Sequence, residues 1–160
     1  MKFVGLLLLL CFAVGGSMNA TPVNNTNKKD YAAAVAGTYN GEAFIEIMQQ
    51  KMKLKLELQR THRDSVIVVV KDFMLPNGQK FNYRSNGVSV KPEVKDGKTV
   101  YKLNISFTYT YNGMPMKVTA TGTVKDGELD SLVKATIMDA METKVTYKAK
   151  KGLVKFSNSA

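Results

Sequence analysis

Between Tyr101 and Tyr111 the chain alternates strictly between apolar and polar side chains. One set of alternate positions carries Tyr101, Leu103, Ile105, Phe107, Tyr109 and Tyr111, and the other carries Lys102, Asn104, Ser106, Thr108 and Thr110. Successive side chains of a β-strand point to opposite faces of the sheet. The period of two therefore predicts a strand that is buried on one face only.

The same alternation recurs along the chain and predicts eight strands. These are Tyr39–Met48, 51–59, Val66–Phe73, Phe81–Val90, Tyr101–Tyr111, 116–124, 129–137 and 144–149. The third strand is apolar on both faces, because Ile67 and Val69 interrupt its alternation, so its register stays open. The fourth strand has a weaker pattern than the others.

Short connections with hairpin chemistry separate several of these strands. Asp96-Gly97, Asn112-Gly113 and Asp126-Gly127 tolerate the positive φ angles that tight hairpins require. Consecutive hairpins leave no room for the long crossover that parallel strands need. The sequence therefore predicts an all-β fold, an eight-stranded antiparallel up-and-down barrel, which is just wide enough to be filled by side chains or to hold one small ligand. A sandwich of two sheets is the alternative.

Residues 1–20 have the order of a signal peptide. Lys2 precedes an apolar run, Phe3–Val14, and small residues follow, with cleavage after either Ser17 or Ala20. The run is too short to span a bilayer comfortably. Cys11 follows a leucine, whereas a lipid-modified cysteine follows a small residue. We expect a periplasmic or secreted protein without a lipid anchor, and no transmembrane segment in the mature chain.

The rest of the chain divides into three parts. Residues 21–34 are predicted to be a polar, Asn-rich linker followed by a short helical turn, which Asp30 could cap. Residues 35–150 form the barrel domain, and residues 151–160 form a C-terminal tail. Loss of the leader removes the only cysteine, so disulfides and thiol chemistry are excluded in the mature chain.

The chain is basic, with a formal net charge of +10 that falls to +9 without the leader, whose only charged residue is Lys2. Such a charge could attract an anionic lipid or an acidic glycan. However, Lys51, Lys53 and Lys55 alternate with apolar residues, which is typical of a solvated sheet face. The aromatic residues share the apolar face, away from the lysines, so no nucleic-acid partner is expected.

The sequence offers little catalytic chemistry. His62 is the only histidine and lies in a charged loop, and no spacing of carboxylates suggests a zinc site. We therefore expect no catalytic residue, no metal and no cofactor, and predict that the protein is not an enzyme. Asp72 and Ser131 are exceptions, because each continues an apolar row. A buried Asp72 would require a partner such as Arg84.

The methionines after the leader all lie at odd-numbered turns of the predicted meander, whereas the even-numbered turns are charged or Asp-Gly sequences. Odd and even turns lie at opposite ends of an up-and-down sheet. Methionine is flexible and suits pockets that accept varied apolar shapes. One hypothesis is a carrier of a small apolar or amphipathic ligand, and the other is a protein interaction module with a filled barrel and an apolar docking end. The predicted rim consists of Met48, Met52, Met74, Leu75, Tyr109, Tyr111, Met114, Met116, Met138 and Met141.

Three segments resemble the calycin-like exported proteins of Gram-negative bacteria: Gly37-Thr38-Tyr39, Asn112-Gly113-Met114-Pro115, and the run from Gly122 to Leu129. The resemblance covers roughly residues 35–150 and implies a lipocalin- or avidin-like barrel. In the lipocalins a tryptophan stands at the position of Tyr39 and closes the barrel floor against a basic residue. The resemblance thus implies that Tyr39 is an end plug, with Lys148 or Lys150 as its partner.

Overall fold

A single antiparallel sheet of ten strands makes up most of the computed structural model, which describes residues 29–152. The predicted signal peptide, most of the linker and the tail from residue 153 lie outside the described residues. A short helix, α1 (Tyr31–Val35), precedes the sheet where the helical turn was predicted, and Asp30 caps it by accepting a hydrogen bond from the Ala33 amide at 2.9 Å. The strands are β1 (Gly37–Ile45), β2 (Gln50–His62), β3 (Ser65–Met74), β4 (Lys80–Arg84), β5 (Val88–Ser89), β6 (Lys91–Lys95), β7 (Lys98–Tyr111), β8 (Met114–Lys125), β9 (Glu128–Ile137) and β10 (Met141–Lys151).

The sheet is a meander whose first and last strands pair with each other. Its order is β4-β3-β2-β1-β10-β9-β8-β7-β6, and β5 pairs with the beginning of β3. The sheet curls so that one face lines a common interior, which makes an incomplete barrel. The prediction of an antiparallel all-β fold is confirmed, and the strands form one sheet instead of a two-sheet sandwich.

The strand count differs from the predicted eight because the predicted fourth strand, Phe81–Val90, is divided into β4 and β5, and because β6 was not predicted. At Ser85 the backbone amide donates to the Val68 carbonyl at 2.9 Å, and the hydroxyl accepts from the Val68 amide at 2.8 Å. The chain then continues as β5 and as β6, which pairs with β7. All of β6 is exposed, so no alternation of apolar residues marked it in the sequence.

The first strand is shorter than predicted. β1 ends at Ile45, and Glu46–Met48 form one turn of 3-10 helix before Gln49, which has a left-handed φ of 50°. This tight turn leads directly into β2. Because Ile47 and Met48 lie on the turn and not in the sheet, their side chains are exposed.

The barrel is closed at the end where α1 lies. Tyr39 is fully buried, and its hydroxyl donates a hydrogen bond to the Val35 carbonyl at 2.6 Å. The helix is held to β2 by an ion pair of 2.7 Å between Arg60 and Asp30. The hydrogen bonds from Arg60 and from the Ala33 amide lower the pKa of the Asp30 carboxyl. Tyr39 is thus the end plug that the resemblance implied.

The basic partner that the resemblance implied for Tyr39 is wrong. Lys148 and Lys150 are both exposed, and Lys150 forms an ion pair with Glu128 at 3.5 Å. They lie on the outer face because their strand positions alternate with the buried Tyr147. It is Tyr147 that meets Tyr39, with its hydroxyl 3.2 Å from the Tyr39 carbonyl oxygen.

The two edges of the sheet meet along a seam between β4 and the second half of β7. Strand β6 pairs with β7 only as far as Lys102, and within residues 29–152 no strand pairs with that edge of β7 beyond it. Aromatic rings cross the gap instead: the ring centroids of Tyr83 and Phe107 are 4.2 Å apart, and those of Phe81 and Tyr109 are 4.9 Å apart. Side chains, and not backbone hydrogen bonds, therefore close the barrel here.

Candidate functional site

An apolar cavity of about 270 Å³ lies inside the barrel, and its lining extends inward to core residues such as Leu58 and Leu129. Its lining reaches Ile45, Leu75 and Tyr111, which adjoin the turns β1–β2, β3–β4 and β7–β8. We call this end of the barrel the open end, and the end with α1 the closed end. Small residues on the inner face leave the space unfilled: Ala43, Ala120, Gly122 and Ala135 all line the cavity.

The cavity wall is apolar, with a few hydroxyl groups. Ser131 on β9 is half-buried and lines the cavity, as its place in an apolar row predicted. Nearer the open end, the lining residues that carry a hydroxyl group are Tyr83, Tyr109 and Tyr111. Burial raises the pKa of the Tyr83 phenol. Such a wall suits an apolar or amphipathic molecule and supplies no strong base or nucleophile.

Asp72 does not belong to this site. The sequence placed it in an apolar row with Arg84 as a partner, but β3 has an irregularity between Val70 and Phe73, and Asp72 has a left-handed φ of 51°. The bulge turns the carboxylate outward, where it lies 3.6 Å from Lys80. Arg84 instead donates a hydrogen bond to Gln59 at 3.2 Å.

The turns that carry the predicted rim all lie at the open end, but the rim residues do not all line the cavity. Leu75, Tyr109, Tyr111 and Met116 contribute to the lining. Met52 is half-buried and lies on the same face as Leu54. The remaining methionines are exposed around the opening, and together with Ile47 they form a surface that we call the apolar rim: Ile47, Met48, Met74, Met114, Met138 and Met141.

Three aromatic residues of the wall were not among the predicted site residues. Phe73, Phe81 and Tyr83 line the cavity, and Phe81 and Tyr83 also contribute to the seam. Their alternate spacing in the weak fourth strand was a usable signal, since residues two apart share a face. The pattern of that strand was weak, and the bulge at Asp72, which shifts its pairing with β3, is a feature that the sequence pattern did not reveal.

A second, open groove lies at the closed end, between the β6–β7 hairpin and the β8–β9 turn. Its charged walls already pair with each other: Lys98 lies 3.3 Å from Asp126, and Lys102 forms an ion pair with Glu93. The hydrogen bond from Lys102 lowers the pKa of the Glu93 carboxyl. The groove presents lysines and carboxylates together, so it has no clear preference for a cation or an anion.

The structure also shows where the remaining candidate residue of the sequence, His62, lies. His62 ends β2 and is exposed. Among residues 29–152 no cluster of three histidine, cysteine or acidic side chains is arranged to hold a metal ion. Over the same residues, no helix has the length and apolar character needed to cross a membrane.

Comparisons with known proteins support the barrel fold but name no family. No family model matches the chain, and no curated protein sequence matches it. A redesigned β-barrel is similar in structure, with a TM-score of 0.52 and 17% identity over 78% of this chain and 96% of the designed chain. At that identity the likeness shows the fold alone.

Two further solved structures have lower TM-scores. One is a "putative outer membrane protein" from Bacteroides fragilis NCTC 9343, with a TM-score of 0.48 and 22% identity over 76% of this chain and 53% of that chain, so this chain spans about half its length. The other is a redesigned β-barrel bound to DFHBI, with a TM-score of 0.43 and 14% identity over 77% of this chain and all of the designed one.

Proposed function

We propose that this protein is an exported, calycin-like barrel that binds a small apolar or amphipathic molecule without catalysing a reaction. The observation that carries the proposal is the apolar cavity of about 270 Å³, whose lining reaches the turns at the open end of the barrel. An engineered apolar cavity of about 150 Å³ is enough to bind benzene, so this space suits a molecule of one or two rings or a short acyl chain. The interaction module with a filled barrel is disfavoured by the same cavity.

Both the wall and the opening support an amphipathic ligand. The apolar part would lie against side chains such as Leu56 and Ile105, and a polar group would meet Ser131 or the tyrosines near the mouth. If the ligand buries about 250 Å² of apolar surface at about 25 cal/mol per Å², the gain is roughly 6 kcal/mol. The translational and rotational freedom that the ligand loses offsets part of this gain, so a Kd of about 10 μM or weaker sets the concentrations for a binding experiment.

The predicted leader supports export. Its charged start, apolar run and small residues have the order of a cleaved signal. Intact mass of the protein recovered from the periplasm or the medium checks this part of the proposal. A product that retains Met1, or that carries lipid on Cys11, would contradict it.

The binding proposal is tested with 1-anilinonaphthalene-8-sulfonate, an amphipathic aromatic probe that fluoresces in apolar surroundings. We expect the native protein to bind the probe and decanoic acid to displace it. Ala120→Leu should weaken binding at least roughly tenfold, because the added side chain fills the cavity that Ala120 lines.

The matched control is Thr119→Leu, which adds an apolar side chain at the neighbouring exposed position. It should leave probe binding unchanged. Native protein that does not bind the probe, or equal binding by both variants, would show that the cavity is not a ligand site.

A further inference from the structure

Exposed apolar side chains are concentrated at the open end. Within residues 29–152 the large hydrophobic side chains that are exposed number eight, and six of them form the apolar rim. Met138 is 65% exposed and Ile47 is 57% exposed. The turns of the closed end carry Asp96-Gly97 and Asp126-Gly127 instead. A large exposed apolar patch on a soluble domain marks a surface that meets another apolar phase or partner.

Lysines lie beside or behind the apolar rim on each of the four hairpins. Lys80 is in the first ladder pair after its turn, Lys51 in the second and Lys117 in the fourth. Lys134 and Lys144 are directly opposite each other, three ladder steps behind Met141. Three steps correspond to roughly 10 Å along a strand.

Like charges that face each other across a ladder destabilise a sheet. Neither Lys134 nor Lys144 forms an ion pair with another described residue, whereas Lys117 pairs with Asp139 at 3.0 Å and Lys80 with Asp72. With Lys71, the open end carries six lysines. Four acidic residues oppose them, so this end keeps a net charge of +2: Glu46, Asp72, Asp139 and Glu142. An anionic surface would relieve the repulsion between Lys134 and Lys144.

From this arrangement we propose that the open end docks onto the surface of an anionic lipid bilayer. Apolar groups of interfacial proteins lie about 5–10 Å inside the headgroup boundary. With the apolar rim at that depth, Lys117, Lys134 and Lys144, roughly 10 Å behind it, lie at the level of the lipid phosphates. The cavity mouth would then face the acyl chains.

A bilayer fits this surface better than a folded protein partner does. The apolar side chains stand on separate turns around an opening, so the patch is a ring and not a continuous face. A deformable surface can contact every turn at once. Lysines occur on all four hairpins, which matches a charge that is spread over a plane.

Co-sedimentation with vesicles tests the proposal. We expect the mature protein to bind vesicles of phosphatidylcholine and phosphatidylglycerol in equal amounts, and to bind pure phosphatidylcholine much less. Met138→Glu with Met141→Glu should abolish binding. Lys134→Gln with Lys144→Gln should reduce it at least roughly tenfold, because lysines near an anionic surface are attracted to its headgroups.

The matched control is Lys95→Gln with Lys125→Gln, which removes the same charge from exposed positions at the closed end and should bind vesicles normally. Ala120→Leu should also bind vesicles, so failure of the cavity proposal and failure of this one are distinguishable. Absence of vesicle binding, or equal loss in both lysine variants, overturns the proposal. A dimer that Met138→Glu with Met141→Glu converts to a monomer, without any vesicle binding, assigns the apolar rim to a second copy and also overturns it.

Discussion

Two tyrosines on neighbouring strands place bulky rings and polar hydroxyls together in the closed end. Tyr39 donates to the Val35 carbonyl, and Tyr147 has its hydroxyl 3.0 Å from the Leu54 carbonyl oxygen. A buried hydroxyl without such an acceptor would destabilise the fold by about 1–3 kcal/mol. The satisfied hydroxyls let aromatic residues fill this end, where an apolar residue of the same volume would leave the Val35 carbonyl without a partner.

Alkaline pH should weaken the closed end. Burial raises the pKa of Tyr39 from 10.0 to about 12 and also raises that of Tyr147. The neutral phenol is favoured in the folded state, so its contribution to stability is complete below pH 10 and is lost as the pH rises towards 12. We expect the free energy of unfolding, measured by urea denaturation, to fall over this range more steeply in the native protein than in Tyr39→Phe. Tyr101→Phe, at a half-buried position, should keep the native profile; identical profiles for all three proteins would contradict the assignment.

At the element scale, β1 and β10 approach each other closely at Gly41. A Cβ atom at this position would overlap the Lys148 carbonyl oxygen and lie 2.5 Å from the Ala149 Cα. Both of these atoms belong to the backbone, so they cannot move aside without breaking the ladder. Gly122, in contrast, would place a Cβ 3.4 Å from a methyl group of Leu129, which can adjust.

Gly41→Ala should therefore destabilise the protein by about 2 kcal/mol or more, because overpacking against a fixed backbone distorts the sheet. Gly122→Ala makes the same chemical change on another strand and should cost less than about 1 kcal/mol. Urea midpoints of the two variants provide the comparison. Equal destabilisation by the two substitutions would mean that the close approach of β1 and β10 does not determine how much stability Gly41→Ala removes.

The strands that alternate clearly could be predicted from the sequence, and those that do not could not. In β7 half-buried or buried residues alternate with exposed ones over most of its length, and its period of two was legible without a structure. Strand β6 is exposed throughout and is held by its hairpin with β7, so no apolar pattern reveals it. The interruption at Ser85 depends on a side-chain hydrogen bond to Val68, which is a tertiary contact.

Taken as a whole, the molecule is polarised between a packed end and an open one. The sequence predicted that the methionine-bearing turns share one end of the barrel, because alternate turns of an antiparallel meander lie at the same end. The volume of the cavity could not be predicted, since it depends on how large residues such as Phe107 and small ones such as Ala120 face each other. For the same reason the sequence could not separate lining residues such as Met116 from exposed ones such as Met138.

For the ligand binding that we propose, the seam offers an exchange route that does not require unfolding. A stack such as Tyr83 on Phe107 separates by rotation of side chains, whereas a ladder separates only when a strand is lost. Near the open end one hydrogen bond crosses the seam, from the Asn77 amide nitrogen to the Asn112 side-chain oxygen at 2.8 Å.

Asn77→Ala should raise the association and dissociation rate constants of the fluorescent probe together by roughly threefold to tenfold. Gln79→Ala, which removes only a bond within the same turn, should leave both unchanged in stopped-flow experiments. Affinity would then stay constant while the lifetime of the complex shortens, so a carrier of this design could release its cargo quickly and remain fully folded.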